Sequence, residues 1–106
     1  MIRTLIHYGI HFLVPVGIAV AFFPKIRWKA LLVFWLAMLI DLDHLLADPL
    51  FDSARCSIGF HPLHTLPAIL TYALLLFFPR LRLIGLALVL HIAADSTDCW
   101  LMDLGL

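Results

Sequence analysis

Residues 28–46 read WKALLVFWLAMLIDLDHLL. The stretch is apolar from Trp28 to Ile40 apart from Lys29. It then sets two carboxylates and an imidazole within four residues, Asp41, Asp43 and His44. An ionised group inside a membrane-length segment costs several kcal/mol unless something compensates it, and so marks a functional site. A metal ion is the simplest compensation, because Asp and His are common oxygen and nitrogen ligands. The stretch therefore predicts a membrane helix that closes in a metal site.

Composition points the same way. The chain has 106 residues, enough for one domain, of which 64% are hydrophobic and 13% charged. Mean hydropathy is +1.08. A soluble domain of this length could not bury so much apolar surface, so an integral membrane protein is expected. Net charge is zero with no basic stripe, which argues against a nucleic-acid partner. All seven acidic residues are aspartates.

Working outward from residues 28–46, four apolar segments emerge, at about 2–23, 28–46, 62–78 and 81–101. Each is near the ~20 residues of a spanning helix. The fold class expected is all-α, a four-helix transmembrane bundle in a single domain over residues 1–106. The first segment is not read as a cleaved signal sequence despite Ala19-Val20-Ala21, because His7 and His11 interrupt its apolar run. Two proline turns join the helices in pairs, Phe22-Phe23-Pro24-Lys25-Ile26-Arg27 and Phe77-Phe78-Pro79-Arg80-Leu81-Arg82. With Lys29 they hold five of the seven Lys and Arg residues and are expected to face the cytoplasm. Arg3, Arg55, both termini and the loop 48–60 then lie outside. Each turn follows a histidine pair and precedes a helix closing in acids. That pattern reads either as two copies of one hairpin or as the turn chemistry any antiparallel membrane hairpin repeats.

This topology gathers the polar residues at one depth. His7 and His11 fall in the outer half of helix 1, and Asp41, Asp43 and His44 at the outer end of helix 2. His61 and His64 open helix 3, and His91, Asp95 and Asp98 occupy the outer half of helix 4. His7 and His11 are i,i+4 neighbours, as are His91 and Asp95, with Asp98 a turn further along the same stripe. Asp41 and His44 are i,i+3. Asp43 is rotated away, either a ligand reached by local unwinding or a partner orienting a histidine. Taken singly, any of these residues could instead bond a backbone carbonyl or a neighbouring helix. The expected metal ligands are His7, His11, Asp41, His44, His64, His91 and Asp95, with Asp43, Asp98 and His61 as catalytic groups that complete the shell or move protons. Ten such residues exceed one tetrahedral site, and two divalent ions bridged by a carboxylate and a water would use them better. Zinc suits the donor set, with iron or manganese as alternatives. No GxSxG or HExxH motif offers a different hydrolytic route.

Cys56 and Cys99 match no CxxC motif. Both fall on the outer side, where they read as a disulfide between loop and helix 4 or as two free thiols; Cys56 as a metal ligand is a weaker third reading.

The pattern His7-x-x-x-His11, Asp41-x-Asp43-His44, His61-x-x-His64-Thr65 and His91-x-x-x-Asp95 resembles the YdjM-like bacterial inner-membrane proteins, described as membrane-bound, metal-dependent hydrolases. It resembles still more closely a short membrane family of HYxxHF, DxDHL and CSIGFHPLH type. Here those stretches are His7 to Phe12, Asp41 to Leu45 and Cys56 to His64, with Asp98-Cys99 downstream. YdjM-like proteins are in turn similar to zinc-dependent phospholipase C, whose helical centres use HxxxD and HxxxE pairs. His91-x-x-x-Asp95 matches that element, whereas the chain has no glutamate and its His61–His64 spacing is tighter than the HRGxTHS-like stretch of larger relatives. The resemblance implies metal-dependent hydrolysis of an ester or phosphoester in a lipid or membrane-proximal substrate. It also implies a multi-pass location in the bacterial inner (cytoplasmic) membrane, with termini and site toward the periplasm. Divalent metal-ion binding or transport without hydrolysis is the competing class, but the apolar stretches Leu31–Leu36 and Leu83–Leu90 offer no polar path through the full depth. A haem carrier using two histidines is a third class, disfavoured by the aspartates. A homodimer could complete a substrate groove, although the sequence names no interface.

Overall fold

The computed structural model describes residues 2–52 and 54–106. Four α-helices and no strand occur among the described residues: α1 (Ile2–Phe22), α2 (Arg27–Leu36), α3 (Leu66–Leu75) and α4 (Arg82–Asp103). A 3-10 turn at Pro24–Ile26 links α1 to α2, because Pro24 has no N–H to continue the ladder. A tight turn through Pro79 links α3 to α4, and the two hairpins differ in that α3 has ten residues against twenty-one in α1.

Two elements depart from the lengths expected. The segment 28–46 is α-helical only to Leu36; from Ala37 to Leu46 it is a 3-10 helix. At three residues per turn, positions i and i+3 eclipse, so Asp41 and His44 stand directly one above the other. The narrower coil is also longer per residue, and α2 with its 3-10 continuation extends about 35 Å. The expected helix 62–78 shrinks to Leu66–Leu75. Thr65 is extended (φ −83°, ψ 165°), which separates a short 3-10 turn at Pro62–His64 from α3. Beyond Leu75 the N–H groups of Leu76, Phe77 and Phe78 bond three residues back. His61 and His64 therefore sit on a turn before the helix, not on it. By length and composition α1 and α4 could cross a membrane. α3 alone is about 15 Å long, roughly half a hydrocarbon core.

α4 packs against α1, α2 and α3 and is the axis of the bundle. Its contact with α3 depends on Gly85: a Cβ there would lie 2.8 Å from Leu75 Cβ and 3.1 Å from the Leu76 nitrogen and the Tyr72 carbonyl. Below the polar end the core consists of Ala19, Ala30, Phe34, Ala37 and Ala87, small residues that let three helices close on one phenyl ring. Cys56 and Cys99 form a disulfide, Cα atoms 5.1 Å apart, that ties the loop after Leu46 to α4. This resolves the two readings of the thiols and removes Cys56 as a metal ligand.

Candidate metal centre

The site begins with four atoms on three elements. The 3-10 helix brings Asp41, the turn before α3 brings His64, and α4 brings His91 and Asp95 one helical turn apart. His64 Nε2 lies 3.2 Å from Asp41 Oδ1, 2.9 Å from Asp95 Oδ2 and 3.3 Å from His91 Nε2. His91 Nε2 lies 3.1 Å from Asp41 Oδ1 and 3.2 Å from Asp95 Oδ2. A regular tetrahedron with edges of this length has its centre about 1.9 Å from each corner, close to the 2.0–2.2 Å of zinc–nitrogen and zinc–oxygen bonds.

The polar bookkeeping fits a cation at that centre. His64 is fully buried, and its Nδ1–H donates to Asp43 Oδ2 at 2.8 Å. A carboxylate only accepts, so this bond fixes the proton on Nδ1 and leaves the Nε2 lone pair pointing inward. Asp95 Oδ2 is buried and close to two imidazole nitrogens, yet takes no hydrogen bond; Nδ1 of His7 and of His91 are also buried without partners. Buried polar atoms are almost always satisfied, and a divalent ion at the centre would occupy Asp95 Oδ2.

Asp95 continues into a second group. Its other oxygen, Oδ1, is 3.0 Å from His11 Nε2 and 3.7 Å from His7 Nε2, both on α1. His7, His11 and Asp95 could hold another cation, with Asp95 as the bridge. An ion held by those three residues would keep a position for water or substrate, the pattern of catalytic sites, whereas Asp41, His64, His91 and Asp95 would supply a full set of four protein ligands.

Asp43 is the orienting partner foreseen as one of its two roles. It is buried, accepts the Leu63 N–H at 2.9 Å on the oxygen that holds His64, and turns its other oxygen to His44 Nδ1 at 3.3 Å. The His44 ring folds back on its own turn, its Nδ1–H donating to the Asp41 carbonyl at 2.9 Å, and stacks on His61 at 3.8 Å. His44 therefore stands outside the four-atom set, in a third group with Asp43 and His61. Burial, and then the His44 ring, hold the His61 imidazole below its ordinary pKa, so it is neutral at neutral pH.

Above these groups lies a chamber of about 450 Å³, with Asp41, His7, His44 and His61 at its floor. Asp41 is the most exposed of the four ligands, its side chain 31% accessible, and opens the centre to the chamber. Among the described residues Asp98 falls in no metal group; it lines the chamber and pairs with Arg3, Nε to Oδ1 3.4 Å. The chamber wall also holds Arg55, Thr4, Tyr8 and Ser57. Arg3 and Arg55 entered the sequence reading only as markers of sidedness. The signal that could have found them was their position, two lone cations on the side that carries the aspartates.

Residues 1–102 match the model of DUF6122, a family of unknown function. The chain belongs to that family. No curated protein and no solved structure matches it. The matched span takes in every residue of the three histidine–aspartate groups, from His7 to Asp95.

Proposed function

We propose that the protein is a membrane-embedded, metal-dependent hydrolase acting on an ester or phosphoester, with a lipid or membrane-proximal substrate. The observation that carries this reading is the convergence of two imidazole Nε2 atoms and two carboxylate oxygens, from three chain segments, on one point at metal-bonding distance. Asp41, His64, His91 and Asp95 would hold one divalent ion, zinc by the donor set. His7, His11 and Asp95 would hold a second. Bound there, such ions supply Lewis acidity that lowers the pKa of water to about 7 and polarises an ester oxygen. The chain's own residues do the rest: Asp43 aims His64, Asp95 spans both positions, and neutral His61 faces the chamber in a state able to accept a proton.

A bilayer setting is supported by the outward faces of the helices, where Leu13, Val20, Leu32, Leu70 and Leu74 are exposed. Solvated helices do not normally present such contiguous apolar faces. Five Lys and Arg residues, those of the basic turns and Lys29, support a cytoplasmic position for the turns, which would leave the chamber on the periplasmic side of the inner membrane. The YdjM-like resemblance supports the same location and chemistry. Metal transport is the weaker reading, because the alanine-lined core beneath the site offers a permeating ion no ligands.

The test is elemental analysis of the detergent-purified protein beside an Asp41→Asn/His91→Ala double variant. The expected result is about two divalent ions per chain, lost in the variant together with phosphoester hydrolysis. A protein that neither holds nor takes up a divalent metal would overturn the reading.

A further inference from the structure

The chamber wall has a chemistry of its own that the metal groups do not use. Arg55 sits on the loop and is fixed in place twice, its Nη1–H donating to the Pro49 carbonyl at 2.9 Å and its guanidinium stacked over the Phe60 ring at 4.5 Å. Cys56, its sequence neighbour, is bonded to Cys99, the neighbour of Asp98. That link holds Arg55 beside the end of α4 whose Asp98 engages Arg3. Two guanidinium groups from different segments thus border one space, and the hydroxyls of Thr4, Tyr8 and Ser57 line it with them.

The three carboxylates on the same wall are already committed. Asp41 turns to His64 and His91, Asp52 accepts the Ala54 N–H at 2.9 Å, and Asp98 is held by Arg3. The first turn of α1, whose N–H groups have no helical partners, carries Arg3 and Thr4 into the same wall. The wall thus sets two guanidinium groups and three hydroxyl residues beside His7 and Asp41, the members of the metal groups that reach the chamber. Tetrahedral oxyanions match such a wall best, because guanidinium forks pair with two of their oxygens while others remain for a cation.

The geometry points to a receptor for a phosphate group in this chamber: Arg3 and Arg55 hold the phosphate of the substrate or product beside His7, the member of the His7–His11–Asp95 group that lines it. The proposal rests on the hydrolase reading for calling that phosphate part of a substrate. Asp98 then acts as the internal competitor, occupying Arg3 until an anion displaces it. The phosphate could belong to a lipid headgroup or to a soluble ester, and the wall chemistry is the same for both.

The test is calorimetric titration of the full-length, metal-loaded protein in detergent with inorganic phosphate and, separately, with short-chain phosphatidic acid. Metal content is measured on each sample. Arg3→Gln and Arg55→Gln are expected to weaken phosphate binding at least tenfold, on the scale of one charge-assisted bond, while retaining metal. Asp98→Asn is expected to tighten it, the opposite sign to what mere loss of an ion pair would give. Tighter binding of phosphatidic acid than of phosphate identifies a lipid headgroup, and equal binding a soluble ester. Arginine variants that hold metal and bind phosphate like the wild type would overturn the receptor alone, as would a metal-loaded wild type that binds none. A protein that takes up no metal overturns the hydrolase reading and this proposal with it.

Discussion

The Asp43 carboxylate touches three partners at once: the Leu63 N–H, the His64 imidazole and the His44 imidazole. Replacing it by asparagine keeps the shape but offers an NH2 group to one of these donors. If that group faces His64, the ring must move its proton to Nε2, into the position a cation needs. Asp43→Asn is therefore expected to lower metal affinity about 10- to 100-fold without removing a ligand. Competition with a chelator measures this, and an unchanged affinity would confine Asp43 to holding the Leu63 turn. Metal should also leave on acidification, since protons compete for the ligand nitrogens, which must be unprotonated to bind; a titration of bound metal against pH reads the loss. Most of the cluster was legible at this scale. Histidines and aspartates in apolar helices stand out, and i,i+4 spacing correctly put His91 with Asp95 and His7 with His11. The place of His44 was not legible, because i,i+3 spacing aligns it with Asp41 but cannot say that its ring turns back onto the Asp41 carbonyl.

Among the elements, α3 is positioned by what α4 lacks. Gly85→Ala would press a methyl into Leu75 and into the α3 backbone, and overpacking of this kind costs about 1–3 kcal/mol. Tyr72 carries the strain onward, since its hydroxyl donates to the Leu63 carbonyl beside His64. The expected outcome is a lower thermal midpoint together with weaker metal binding; a midpoint drop with full affinity would uncouple α3 from the centre. The loop between Leu46 and His61 is held differently, by the Cys56–Cys99 bridge across 43 residues of chain. A Cys56→Ser/Cys99→Ser variant is expected to lose about 2–4 kcal/mol of stability and to bind phosphate more weakly while keeping its metal. Denaturation and the titration above separate the two effects. The helix end before Pro24 was readable because proline has one local meaning, whereas α3 stops at Leu75, short of the end that Pro79 suggested. The 3-10 helix at Ala37–Leu46 was not readable, since its residues hold no proline or glycine to mark the change of coil.

At the scale of the whole molecule, the histidine–aspartate chemistry is confined to one end. Histidines, aspartates, two arginines and the chamber crowd around the start of α1 and the end of α4; the other half has a core of alanine, phenylalanine and leucine and ends in the basic turns with Lys25, Arg27, Lys29, Arg80 and Arg82. The sequence foretold this polarity, because four separate segments placed their ionisable residues at one depth. It could not foretell the chamber, whose roof is a loop with no periodic pattern. Such a body has a front and a back, and the hydrolase proposed above could take a polar substrate only from the chamber side. In vesicles reconstituted with mixed insertion, copies whose mouths face the lumen would be silent toward a polar substrate added outside. Permeabilising the vesicles would unmask them, so latency, read as the rise in turnover on adding mild detergent, becomes a direct measure of which way the protein was inserted.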